Sequence, residues 1–135
     1  MIEKIKGRCL CGSVQFKCDN VFREFHFCHC TQCQKISGSA HVANLFSNAG
    51  TVEFITGLGN VQRYDVPGRA LSNAFCKQCG SSVPYFSKFD KSMIVPAGLL
   101  EGTPNIVPQD NIFWNERACW YDDGVKSKKC STHPE

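Results

Sequence analysis

Apolar and polar positions alternate along much of this chain. Val14, Phe16 and Cys18 fall on one side and Gln15 and Lys17 on the other, the two-residue period of a half-buried strand. Ala40 to Phe46 and Thr51 to Ile55 also read as extended, with Asn48-Ala49-Gly50 as the turn between them. Val61 to Val66 is a further strand, ended by Pro67-Gly68; Ala70 to Phe75, Ser82 to Phe86 and Met93 to Pro96 follow. Helix is scarce: Thr31 to Ser37 has room for one or two turns, and Asn115 to Trp120 for another. Short strands at regular spacing predict a mainly β domain, sheet-like or barrel-like, with little helix. Few of the strands are long, so the core is modest and a metal staple would help hold it together.

Composition narrows the class. The 135 residues fit one domain, read as residues 1–124 with a loose tail at 125–135. Hydrophobic content of 42% with 20% charged residues is ordinary for a globular protein. A net charge of +3 and the absence of a basic stripe with interleaved aromatics argue against a nucleic-acid partner. The one basic run, Lys126-Ser127-Lys128-Lys129, lies in the expected tail and reads as solvated surface. The first residues, MIEKIKGRCLCGSVQF, hold no apolar segment of signal-peptide length. The longest apolar run, Met93 to Leu100, contains Pro96 and Gly98 and cannot span a bilayer. A cytoplasmic protein with no membrane contact is therefore expected.

Ten cysteines are the anomaly. In a reducing compartment, dense cysteine points to metal or thiol chemistry rather than disulfides. Seven of the ten fall into three groups: Cys9 and Cys11 as C-x-C, Cys28, Cys30 and Cys33 as C-x-C-x-x-C, and Cys76 and Cys79 as C-x-x-C followed by Gly80. Sulfurs on a tetrahedral zinc lie about 3.8 Å apart. Strand residues two apart share a face with Cα atoms about 6.6 Å apart, so a C-x-C pair converges best where a strand ends and turns; Gly12 permits that turn. Cys76-Lys77-Gln78-Cys79-Gly80 reads as a zinc turn.

The natural partition joins Cys9 and Cys11 to Cys76 and Cys79 in a closed, structural four-thiolate site. The triplet is left with three ligands and an exchangeable fourth position, the pattern of a catalytic zinc. Alternatives stand beside this reading. Cys18, Cys119, Cys130, His26, His29 or His41 could close the triplet, or the triplet could be metal-free and redox-active. By pattern, Cys18 belongs to the core, Cys130 is idle in the tail, and His29 points away from the triplet into solvent.

These groups carry a resemblance. GRCLCGSVQF, FCHCTQCQKISGSA, FCKQCG and the late FWNERACW resemble, in order and spacing, the glutathione-dependent formaldehyde-activating enzyme family, which also contains centromere protein V. The likeness spans roughly residues 7 to 120. It implies the Mss-four-like fold, a mainly β, zinc-stapled architecture that methionine sulfoxide reductase B also resembles. It implies two zinc ions per chain: a structural one on Cys9, Cys11, Cys76 and Cys79, and a catalytic one on Cys28, Cys30 and Cys33. Cys119 departs from the pattern, standing where the family usually has proline.

An open three-thiolate zinc suits the holding of a fourth sulfur, because a coordinating thiol is deprotonated yet remains nucleophilic. The expected activity is a carbon–sulfur lyase that reversibly adds a glutathione-like thiol to formaldehyde or another small aldehyde. Glu116, His29 and His41 are candidates for moving the proton, and Arg63, Arg69 and Arg117 for facing the thiol's carboxylates. One rival is a non-catalytic zinc-binding module of the same fold. Another is a thiol oxidoreductase built on Cys30 and Cys33, although no thioredoxin-like βαβ pattern surrounds them.

Overall fold

The computed structural model describes residues 2–134. The chain runs β1 (Lys4–Arg8), β2 (Gln15–Asp19), β3 (Glu24–Cys28), α1 (Thr31–Ser37), β4 (Val42–Ser47), β5 (Val52–Thr56), β6 (Val61–Asp65), β7 (Ser72–Cys76), β8 (Tyr85–Phe86), β9 (Met93–Pro96), β10 (Asp110–Ile112) and α2 (Tyr121–Lys126). The fold is mainly β, as the alternation predicts. Three open sheets form it, in the orders β1-β2-β5, β10-β3-β4-β9-β8 and β6-β7. All pairs are antiparallel except β10 beside β3, which is parallel.

Two apolar clusters hold the sheets together. Ile5, Phe16, Cys18, Phe25, Leu45 and Val95 make one, where the inner face of the first sheet meets β3, β4 and β9. The alternation of β2 fulfils its pattern: Phe16 and Cys18 are buried, and Val14, just before the strand, is fully buried. Burial pushes the Cys18 thiol up to about 11, so it stays an inert core group. The second cluster gathers Val14, Ala74, Val83, Tyr85 and Ile94 around Cys9 and Cys76. Two members of the four-cysteine group, Cys9 and Cys76, are thus built into the core.

Three strands were not legible. β1, KIKGR, contributes one large apolar side chain, and β10 is three residues long. β3, EFHFC, mixes charge, imidazole and thiol. Each is a strand because its neighbour supplies hydrogen-bond partners, which local sequence does not encode. The late helix also departs from expectation. Residues Trp114–Glu116 form a 3-10 turn and the helix begins only at Tyr121, so Asn115 to Trp120 is not helical throughout. α2 runs from Tyr121 to Lys126. No helix among the described residues is long and apolar enough to cross a membrane.

Gly57 positions the first cysteine loop. Its φ is +81°, and a Cβ built there would lie 2.0 Å from the Ser13 carbonyl oxygen. The next strand can therefore lie against the Cys9–Ser13 turn only with glycine at this point. Gly57→Ala is expected to lower stability by roughly 2–4 kcal/mol, combining left-handed backbone strain with a backbone clash. Urea unfolding of the two proteins checks this; a difference under about 0.5 kcal/mol would mean that the loop yields freely.

Candidate active site

The two loops of the four-cysteine group are alike. In each, the chain curls back on itself and a glycine takes a positive φ, 82° at Gly12 and 77° at Gly80. The Gly12 N–H donates to the Cys9 carbonyl and the Gly80 N–H to the Cys76 carbonyl. The sulfurs of Cys9, Cys11, Cys76 and Cys79 all lie within 4.8 Å of one another. Cys9 and Cys11 Sγ are 3.6 Å apart and Cys11 and Cys76 Sγ 3.8 Å. Those separations suit the edge of a tetrahedral thiolate site, about 3.8 Å for zinc.

The surroundings of Cys9, Cys76 and Cys79 supply donors to sulfur. The Val14 N–H donates to Cys9 Sγ at 3.3 Å, and the Asn60 amide to Cys76 Sγ at 3.6 Å. The Ser13 hydroxyl lies 3.2 Å from Cys76 Sγ and lowers that thiol's pKa. The Ser81 hydroxyl, 3.2 Å from Cys79 Sγ, is the leading cause holding that thiol down to about 5. Ser13, Asn60 and Ser81 form a second layer around the sulfurs that the cysteine spacing did not reveal.

The triplet sits where β3 ends and α1 begins. Glu24, His26 and Cys28 share one face of β3, opposite the core-facing Phe25. Cys30 is the N-cap of α1, and its sulfur accepts the Cys33 N–H at 3.3 Å. The first turn of the helix swings Cys33 back, so that the sulfurs of Cys28, Cys30 and Cys33 also lie within 4.8 Å of one another. A hydrogen bond from Cys33 is the main cause holding the Cys28 thiol down to about 6, while Cys33 itself is raised by the same partnership.

Among the described residues no fourth cysteine, histidine or carboxylate converges on this triplet. Cys18 is in the core, and Cys119 and Cys130 are exposed. His26 is held by carboxylates on both ring nitrogens, 2.5 Å from Asp110 Oδ1 and 2.9 Å from Glu24 Oε1. Burial opposes charge on His26, but the two carboxylates outweigh it and raise its pKa.

His29 corrects an expectation. It does not point into solvent: it is fully buried, with Nε2 2.9 Å from Asn111 Oδ1. Its ring packs against His41, Trp114 and Tyr121 at centroid distances of 4.8, 5.1 and 4.8 Å. The strand's alternation turns His29 away from the cavity, and the later C-terminal segment covers it. Burial lowers the pKa of His41 in the same cage.

An open cavity of about 580 Å³ lies over the triplet, a size suited to a small organic ligand. Cys28, Cys30 and Cys33 line one side; Phe46, Leu71, Ile94, Ile112 and Phe113 supply apolar wall. Of the three candidates for proton transfer, only Glu116 lines it. Glu116 Oε1 accepts from the Thr31 N–H and hydroxyl, at 3.1 and 3.3 Å. Of the three arginines, only Arg69 lines it. Arg63 is engaged by Asp65 and Ser72, and Arg117 by Asp122 and the Trp114 ring. Arg69 lies at the tip between β6 and β7, where Lys88 Nζ donates to the Val66 and Arg69 carbonyls and fixes the loop.

Two further residues escaped the sequence. Asn44 on β4 lines the cavity next to the triplet, and its side-chain amide has no hydrogen-bond partner among the described residues. Phe113, half exposed at the cavity rim, has a left-handed backbone with φ 54°, which costs a non-glycine residue about 1–2 kcal/mol.

Residues 4–116 match the family described as glutathione-dependent formaldehyde-activating enzyme. The chain belongs to this family. Membership supports a function related to glutathione and formaldehyde, and both cysteine groups of this family member could hold metal ions. No curated protein matches the sequence. A crystal structure of a Rhodobacter sphaeroides protein, a structural-genomics target, is similar with a TM-score of 0.61 and 23% identity, covering 76% of this chain and 97% of that one. That likeness supports the fold this family member adopts.

Proposed function

We propose that the protein is a zinc-dependent carbon–sulfur lyase that reversibly adds a glutathione-like thiol to formaldehyde or another small aldehyde. The observation that carries this reading is the three-sulfur group opening onto a cavity with no fourth protein ligand among the described residues. Cys9, Cys11, Cys76 and Cys79 would hold a structural zinc. Zinc on Cys28, Cys30 and Cys33 would supply a position that deprotonates a substrate thiol and keeps it nucleophilic.

The chain's own residues supply the rest. Arg69 faces a carboxylate of the thiol across the cavity, where a guanidinium can bind it in bidentate fashion. In the addition, the sulfur pair forms the C–S bond and the carbonyl π pair moves onto oxygen. The Asn44 amide donates to that oxygen as its charge develops. Glu116, with Oε2 free of partners among the described residues, takes the proton lost by the thiol and returns it to the alkoxide.

Thiols and formaldehyde combine unaided, so the test is acceleration over that background. Exchange spectroscopy by NMR on glutathione and formaldehyde at equilibrium should show exchange at least about tenfold faster with catalytic protein than without it. Exchange at the spontaneous rate, with both zinc ions bound, would favour the non-catalytic module instead.

A further inference from the structure

The main cavity has to take the glutathione-like thiol as well as the aldehyde, and its wall is largely apolar. Beside it lies a second cavity of about 200 Å³, which shares Cys33, Asn44, Leu71 and Tyr85 with the first. It runs between α1 and β4, lined by Ile36, Val42 and Pro96. Its polar neighbours are largely occupied: Ser72 Oγ donates to Asp65, and Ser82 Oγ to Asn73. A cavity of about 150 Å³ lined by apolar side chains is enough to hold benzene. At the rim of the main cavity, Phe113 keeps an exposed ring over the opening at the expense of an unfavourable backbone.

We infer that the carbonyl substrate carries an apolar group, a short alkyl chain or a phenyl ring, which occupies this annexe beside Cys33. The inference rests on the thiol-addition reading and narrows its aldehyde. The step is unchanged: the thiol sulfur bonds to the carbonyl carbon, the π pair goes to oxygen, and the thiol proton ends on that oxygen. The product is an S-(1-hydroxyalkyl) thioether, with no oxidant or reductant involved. Asn44, at the junction of the two cavities, stands next to the carbon that bears both the oxygen and the apolar group. Leu71 forms the shared wall.

S-methyl, S-propyl, S-pentyl and S-hexyl glutathione serve as stable probes resembling the adduct, and their binding to the zinc-loaded protein is read by calorimetry. Affinity should rise about fourfold per methylene over the first three or four. It should then level off as the annexe fills. Leu71→Asn should flatten that slope at least about twofold per methylene. In the exchange assay, pentanal or benzaldehyde should exceed formaldehyde in kcat/KM relative to the uncatalysed rate. Equal affinity across the series, together with a preference for formaldehyde, would overturn the inference and leave the thiol-addition reading intact. No binding of any probe and no acceleration with any aldehyde would overturn both.

Discussion

Cys76→Ser should cost the protein most of its stability, whereas Cys28→Ser should leave the fold standing. Cys76 is fully buried in the second core cluster, and its sulfur lies 3.8 Å from Cys11 across 65 residues of chain. The four-cysteine group ties the N-terminal turn to the loop after β7, and a structural zinc there would contribute folding free energy directly. Losing one of its four thiolates should cost roughly 3–5 kcal/mol or more and lower Tm by roughly 10–20 °C. Cys28 is half-buried at a cavity wall, and its group spans only six residues, so it closes no long loop. Its serine variant should lose one of two zinc ions and under about 1.5 kcal/mol. Native mass spectrometry gives the zinc count and thermal circular dichroism the stability. Equal losses in the two variants would remove the division into a structural and a catalytic site.

The second large effect is kinetic. Asn44→Leu keeps the branched outline of the side chain, at somewhat larger volume, and deletes its amide donor. The backbone pairing of β4 with β3 and β9 is untouched, so the variant should fold. If the amide meets the developing alkoxide, kcat for thiol–aldehyde exchange should fall by about a hundredfold while KM changes little. That split separates a donor to the transition state from a residue that only shapes the cavity, which would move KM. An unchanged kcat would mean that the oxygen is held elsewhere.

The site was legible in part. C-x-C-G and C-x-x-C-G announce their loops because glycine at positive φ lets each turn close around its sulfurs, and those are local facts. The late C-terminal segment was not legible in the same way. Trp114 and Tyr121 close over His29 and Phe113 rims the cavity, although no periodicity in their stretch marks them. Arg69 could not be told from Arg63 and Arg117 by sequence, because the difference is which of them already has a partner. Asn44 is an ordinary strand residue until β3 places the triplet beside it.

The sequence by itself determined the mainly β character, the short helix after the triplet and the sorting of seven cysteines into groups of four and three. Alternation and spacing act over a few residues, and the chain records them directly. Tertiary structure alone decided that β1, β3 and β10 are strands, that His29 is buried rather than exposed, and that the triplet opens onto an apolar cavity. Those outcomes depend on which surface meets which across tens of residues, and burial and hydrogen-bond pairing at that range are properties of the assembled sheets.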